Sequence, residues 1–184
     1  MAPPPQIPAP GQPAYSPGNV MQGARTFQKS LGASVTLLVF AALGAISPFL
    51  TYISGYDYYW GETVAYSGWE SQDVFSDYEK FSNGPTFVLL GSLVALGLAI
   101  AIIVNQNNSK AVNKTGFGVG TLVSGVIVAL SAGISYTAWD TILRDDGSSA
   151  DQGVGLWLGA VSGVAILIIG IVMLTVPKVT QGSQ

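Results

Sequence analysis

Four long apolar stretches alternate with short polar segments along this chain of 184 residues. A helix rises about 1.5 Å per residue, so roughly 20 apolar residues cross the ~30 Å hydrocarbon core of a membrane. Each stretch reaches or approaches that length, which predicts four membrane-spanning helices. The predicted spans are residues 31–53, 85–104, 116–138 and 153–176.

The segments between the predicted spans are polar and differ in length. Residues 54–84 form the longest predicted loop, 105–115 form a short one, and 139–152 connect the last two spans. Pro48 lies near the end of the first span, where it removes a backbone donor and crowds the preceding turn. We therefore expect a kink or an early end of the helix at this proline.

The N-terminal segment differs in composition from the rest of the chain. Residues 1–28 contain most of the prolines, together with Gln, Gly, Ala and Ser. Such a segment cannot bury enough apolar surface to offset the entropy lost on ordering. The sequence predicts a disordered Pro-rich tail, a membrane domain over residues 29–178 and a short C-terminal tail over 179–184.

A short motif occurs twice, each time between two apolar stretches. Tyr66-Ser67-Gly68-Trp69-Glu70 reappears 70 residues later as Tyr136-Thr137-Ala138-Trp139-Asp140. Two hairpins of equal orientation would follow from a tandem duplication, with a pseudo-two-fold axis along the membrane normal. Chance similarity is the alternative, because aromatic residues gather at membrane interfaces in any protein. The sequence predicts an all-α, four-helix membrane bundle built from two tandem hairpins.

The paired motifs have two interpretations. Their tryptophans can anchor the bundle at the outer membrane interface, as aromatic belts do. Alternatively, the two motifs together form a platform for a partner. The candidate platform residues are Tyr66, Trp69, Glu70, Tyr136, Trp139 and Asp140.

Small residues recur along the predicted spans at a spacing of four. Apolar side chains gain little by leaving lipid for protein, so membrane helices associate where small residues let their backbones approach. The glycines of the fourth span form the most regular stripe. The candidate helix-packing residues are Gly91, Ala95, Gly125, Ala129, Gly133, Gly155, Gly159 and Gly163.

Charge is divided sharply between the two sides of the predicted membrane domain. All ten acidic residues lie in the two longer loops, whereas the N-terminal tail, the middle loop and the C-terminus carry only cations. The positive-inside rule predicts a multi-pass plasma-membrane protein with both termini in the cytoplasm and both acidic loops outside. No predicted span contains a charged residue, which argues against a pump or an ion-coupled transporter.

The residue types present exclude several kinds of chemistry. The chain has no cysteine and no histidine, so thiolate clusters, the usual zinc sites and nucleophile–histidine pairs are excluded. The acidic loop residues do not have the spacing of an EF-hand, and no phosphate-binding or dinucleotide motif occurs. No basic patch indicates binding of nucleic acid. We expect no catalytic residue, no cofactor and no metal.

Two comparisons with families bear on the four-span prediction. Claudins and tetraspanins carry paired cysteines in an external loop, which this chain lacks, and the claudin-like triplet Gly155-Leu156-Trp157 opens the fourth span instead of lying in the first loop. In its Pro/Gln/Ala-rich tail and Ala/Gly/Val-rich spans, the chain resembles small uncharacterised four-span membrane proteins of actinobacteria. That resemblance implies no activity.

These features together favour a non-enzymatic function. We expect an accessory or scaffold subunit of a larger membrane or cell-envelope complex, surrounded by membrane lipids. Its partner would be another membrane protein or a second copy of the chain. The alternative is a small channel or a lipid- or quinone-binding carrier.

Overall fold

The computed structural model describes residues 17–57, 61–74, 83–107, 114–145 and 150–175. These residues form five α-helices, one 3₁₀ turn and three strands. In chain order they are α1 (Pro17–Ile46), the 3₁₀ turn (Ser47–Phe49), β1 (Thr51–Asp57), β2 (Glu62–Ser67), α2 (Gly68–Val74), α3 (Gly84–Asn107), α4 (Lys114–Asp145), β3 (Ala150–Gln152) and α5 (Val154–Thr175).

Four of the helices, α1, α3, α4 and α5, are long and apolar enough to cross a membrane. About a third of each apolar window is buried inside the protein, and the exposed side chains include many Leu, Ile and Val residues. Soluble proteins rarely expose apolar surface of this extent. The prediction of a mainly helical protein with four apolar helices long enough to span a membrane is confirmed, and these helices indicate a multi-pass membrane protein.

The first helix differs from its predicted bounds at both ends. It begins at Pro17, so the prediction of a disordered tail is not confirmed for residues 17–28, and residues 1–16 lie outside the described part of the chain. Proline is favoured at the first helical position, where its missing N–H would be unpaired in any case. The predicted early end is confirmed, because α1 stops at Ile46 and Pro48 lies in the 3₁₀ turn that follows.

Strand β1 replaces the predicted end of the first span. Residues 51–53, predicted to be helical, begin this strand instead. The β-branched and aromatic side chains of Thr51, Tyr52 and Ile53 suit a strand, and the proline before them has already interrupted the helix.

Helix α4 is longer than predicted. Residues 139–145, predicted to belong to a loop, continue α4 to Asp145. The sequence has no glycine or proline between Gly133 and Gly147, so nothing local ends the helix at the membrane surface. Helices α3 and α5 agree with their predicted spans within a few residues.

A three-stranded sheet with the order β2-β1-β3 lies at one end of the helices. Strand β1 pairs antiparallel with both neighbours, so Ser54 lies opposite Ala65 on one side and opposite Asp151 on the other. Because β1 and β2 come from the first long loop and β3 from the second, the two loops meet in one sheet. The sequence analysis predicted no strand in either loop.

The four long helices pack in a ring in the order α1, α3, α4, α5, with α5 returning to α1. The apolar core lies in the half of this ring far from the sheet, where the cluster comprises Leu37, Ala41, Ala95, Ala99, Ile102 and Ile166. The half nearer the sheet buries a smaller apolar cluster of Val88, Val128 and Ala132, together with the hydroxyl residues Ser47, Ser92 and Ser162. Buried hydroxyl residues also occur in the far half, at Ser34, Thr121 and Ser124.

The closest helix contact joins α4 to α5 through glycines supplied by both helices. A Cβ at Gly163 would lie 2.5 Å from the backbone nitrogen of Ala129, and one at Gly125 would collide with the backbone of Leu167. The same antiparallel register continues towards the other end. Its four successive pairs are Ala129/Gly163, Gly125/Leu167, Leu122/Gly170 and Gly118/Leu174.

The spacing within this contact alternates between four and three residues on each helix. Such a heptad-like spacing keeps one seam facing the partner helix along its whole length. Gly118 and Gly170 belong to the seam although no stripe with a spacing of four contains them. Gly133, a predicted packing residue, is exposed, and a Cβ there would meet nothing within 4 Å.

A matched pair of glycine substitutions tests this packing. Gly163→Val places a side chain where the backbone of α4 already lies, and overpacking of this kind typically costs about 1–3 kcal/mol. Gly133→Val introduces the same side chain on an exposed face and should change stability by less than about 0.5 kcal/mol. Thermal unfolding in mild detergent measures both, and equal effects of the two variants would contradict the register.

Candidate functional site

The sheet is attached to the bundle by one aromatic side chain. Tyr52 on β1 is 0% exposed and is the largest fully buried side chain described. A Cβ at Gly155 of α5 would lie 2.9 Å from its ring, and one at Gly68 of α2 would lie 3.2 Å from it. The two glycines thus leave the space that the tyrosine ring occupies between the helices.

The backbone of β1 also lies directly against the start of α5. The Gly153 N–H donates to the carbonyl oxygen of Tyr52 over 2.7 Å. A Cβ at Gly153 would collide with the carbonyl of Thr51, so the approach requires a residue without a side chain. Together with the pairing of β1 and β3, this contact fixes the sheet on the helices.

The hydroxyl end of Tyr52 lies in the bundle core. Its oxygen lies beside Ser47, whose own hydroxyl donates to the Gly44 carbonyl over 2.9 Å. Burial raises the pKa of Tyr52, and the neighbouring Ser47 hydroxyl opposes this only in part. The phenol is therefore neutral at physiological pH, and it can donate to the Ser47 hydroxyl oxygen.

The first copy of the repeated motif forms the turn from β2 into α2. The backbone N–H of Ser67 donates to Glu70 Oε2 over 2.8 Å, and the Glu70 N–H donates to Ser67 Oγ over 3.3 Å. This reciprocal pair is a capping box, which the Ser-x-x-Glu spacing could have indicated from the sequence. The backbone bond from Ser67, and then the bond with its hydroxyl, lower the pKa of Glu70.

The tryptophan of the first copy packs on the end of the first span. The rings of Trp69 and Phe49 lie with centroids 5.8 Å apart at an interplanar angle of 55°, a tilted arrangement typical of aromatic pairs. Trp69 is half-buried, and its indole N–H is buried with no acceptor among the described residues. This pair holds α2 against the 3₁₀ turn.

The second copy of the motif has a different local structure. It lies within α4, where the Thr137 hydroxyl donates to the Ile134 carbonyl of the preceding turn over 3.0 Å. The small residue of each copy is compatible with its local structure. A Cβ at Gly68 would lie 2.8 Å from the Pro48 carbonyl oxygen, whereas Ala138 is a strong helix former in a continuous helix.

The candidate platform residues lie at the same end of the bundle but are not equivalent. Tyr66 and Trp69 are half-buried, while Glu70 and Tyr136 are exposed. The side chains of Trp139 and Asp140 lie outside the described set, although their backbone belongs to α4. The first copy therefore builds a cap on the bundle, and the second extends a helix beside it.

The candidate packing residues separate into two groups. Gly155 faces Tyr52 and the turn that follows α1, whereas Gly159 faces Ser47 and Tyr52 on one side and Val88 of α3 on the other. The others lie between long helices, apart from the exposed Gly133. A Cβ at Gly91 would lie 2.8 Å from Val128 on α4, and Ala95 is fully buried in the apolar core.

Neither the geometry nor the comparisons indicate a reaction. Within the described ranges, no group of three or more His, Cys, Asp or Glu residues is placed to hold a metal ion. No protein-family model matches the chain, and no curated protein matches it.

The two copies of the motif allow a matched test of the capping box. Ser67→Ala removes the N-cap of α2, a loss that costs about 1 kcal/mol and should raise amide exchange in α2 about fivefold. Thr137→Ala changes a residue inside a continuous helix, where no N-cap is lost, and should leave exchange in α4 nearly unchanged. Hydrogen exchange with mass spectrometry measures both segments, and unchanged exchange in α2 would contradict the assignment.

Proposed function

We propose that this protein is a non-enzymatic membrane subunit that presents a rigid surface to a partner in a larger membrane or cell-envelope complex. The surface is the loop-end cap, which consists of β1, β2, β3 and α2. The observation that carries the proposal is the attachment of this cap. Two separate loops contribute strands to one sheet, and Tyr52 and Gly153 fix that sheet on α5.

The exposed residues of the cap support a role in recognition. Glu62 and Asp151 lie on the two outer strands, Glu70 lies on α2, and all three are exposed. The aromatic side chain of Tyr56 is also exposed, and such residues are enriched at protein interfaces. An acidic surface with an aromatic side chain favours a partner that presents basic groups.

The orientation is part of the proposal. All ten acids lie in the two loops that contribute to the cap end, and cations predominate at the other end. By the positive-inside rule, the cap is outside a plasma membrane and both termini are in the cytoplasm. The helices would then form two hairpins, α1 with α3 and α4 with α5, and the repeated motif is the observation that supports a tandem duplication.

A channel or a lipid- or quinone-binding carrier is the second candidate function. It is favoured by the hydroxyls of Ser92 and Ser162, which are buried in the bundle without partners among the described residues. The apolar cluster below them argues for the subunit instead, because Leu37, Ile102 and Ile166 fill the bundle and are at most 1% exposed.

Site-specific photo-crosslinking in native membranes tests the proposed function. A photoreactive amino acid at Thr63 of the cap should give one defined protein adduct, whereas the same residue at Leu130, on the apolar face of α4, should give lipid adducts. The double variant Glu62→Gln, Glu70→Gln should reduce the protein adduct about fivefold, since each exposed charge pair contributes about 0.5 kcal/mol. Glutamine can still complete the capping box, so the cap should remain folded.

The other outcomes of this experiment are equally informative. An adduct with twice the mass of the chain would identify the partner as a second copy. Lipid adducts at Thr63 as well as Leu130 would contradict the subunit proposal and favour the carrier. In intact cells, Thr63→Cys should react with an impermeant maleimide and Asn107→Cys should not, as the proposed orientation requires.

A further inference from the structure

Four hydroxyl side chains meet inside the bundle beneath the sheet. Ser47, Tyr52, Ser92 and Ser162, here called the hydroxyl cluster, are all 0% exposed. They come from the 3₁₀ turn that follows α1, from β1, from α3 and from α5. Two long helices, the 3₁₀ turn and the sheet therefore contribute to one enclosed polar region.

The glycines between these side chains locate the cluster. The Cβ that Gly44 lacks would lie 2.5 Å from Ser92 Oγ and 3.3 Å from the Cβ of Ser162. One turn closer to the sheet, the Cβ that Gly159 lacks would lie 3.1 Å from Ser47 Oγ and 3.6 Å from the Tyr52 hydroxyl oxygen. The hydroxyls thus lie at two successive levels of the bundle.

Two members of the cluster have no protein partner. The hydroxyl oxygens of Ser92 and Ser162 are buried and have no hydrogen-bond partner among the described residues, whereas the Tyr52 hydroxyl lies beside that of Ser47. Other buried serines are satisfied within their own helix, as Ser124 is by Gly120 and Ser135 is by Ser131. Buried polar groups without a protein partner generally bind ordered water.

We propose that the hydroxyl cluster is a hydration site, in which one or two ordered waters bridge Ser92, Ser162 and the Tyr52 hydroxyl. Each hydroxyl offers one donor and two acceptor positions, which suits the two to four bonds of a buried water. The cluster itself contains no charged side chain, so its chemistry favours an uncharged ligand over a cation.

The surroundings enclose the cluster. The Tyr52 ring and the glycines beside it lie on the sheet side. The apolar cluster around Leu37 and Ile166 lies on the other side. The four hydroxyl residues are consequently 0% exposed and separated from both bulk water and lipid.

Removing a serine hydroxyl should change the melting temperature in opposite directions, depending on whether water is bound to that hydroxyl. If water bridges the cluster, Ser92→Ala and Ser162→Ala leave other groups unsatisfied and should lower the melting temperature in detergent by roughly 2–6 °C. If no water is bound and the hydroxyls are unpaired, the same variants remove a buried polar group without a partner and should raise the melting temperature. Ser124→Ala, whose hydroxyl is bonded within its own helix, is the matched control and should have a smaller effect.

A high-resolution structure of the protein in lipid distinguishes water from a direct bond between the serines. The proposal requires an ordered solvent peak about 2.7–3.2 Å from Ser92 Oγ and from a second hydroxyl of the cluster. Tyr52→Phe, which keeps the ring, should displace or weaken that peak. A direct hydrogen bond between Ser92 and Ser162 without solvent, or a rise in melting temperature for either alanine variant, would overturn the proposal.

Discussion

The fold depends on one constraint that the membrane imposes. Large apolar side chains are as well solvated by lipid as by protein, so helices gain most by bringing their backbones into close contact. The chain accordingly exposes Leu, Ile and Val and places Gly, Ala and Ser between the helices. At the seam between α4 and α5, Gly125 leaves room for Leu167, and Gly163 leaves room for the backbone of Ala129. This contact sets the register of the two helices.

Glycines position the polar part of the molecule in the same way. At the sheet end of α5, Gly153 and Gly155 admit the backbone of β1 and the ring of Tyr52 instead of another long helix. One face of α5 thus packs on α4 in the membrane and on the cap at its surface. Tyr52 joins the two regions, since its backbone belongs to the sheet and its hydroxyl reaches the hydroxyl cluster.

The sequence predicted the spans well because their signal is local. Length and hydropathy placed α3 and α5 within a few residues, and Pro48 correctly indicated the end of α1. The pairing of β1 with β3 was missed because it spans about 100 residues of chain, and a pairing over that distance leaves no local pattern. The hairpin of β1 and β2 is local, and it was missed because the β-branched and aromatic residues that suit a strand also suit the end of an apolar span. The stripe with a spacing of four found Gly163 but not Gly118 or Gly170, whose seam follows a seven-residue repeat.

The repeated motif shows why likeness in sequence did not give likeness in structure. Both copies have the spacing of a capping box, but only Ser67 and Glu70 form one. In the second copy, Ala138 lets α4 continue through the motif. The candidate platform is consequently built from the first copy, on a cap whose third strand comes from the second loop.

The central claim, that both loops join in one sheet on the bundle, can be tested by disulfide formation in a chain without native cysteine. Ser54→Cys combined with Asp151→Cys places two thiols directly opposite each other on β1 and β3. The account predicts rapid oxidation of this pair in native membranes. It predicts none for Thr63→Cys with Asp151→Cys, since β2 and β3 are separated by β1 and two strand spacings of about 4.8 Å exceed disulfide reach. Free, maleimide-reactive thiols in the first pair after oxidation would contradict the account.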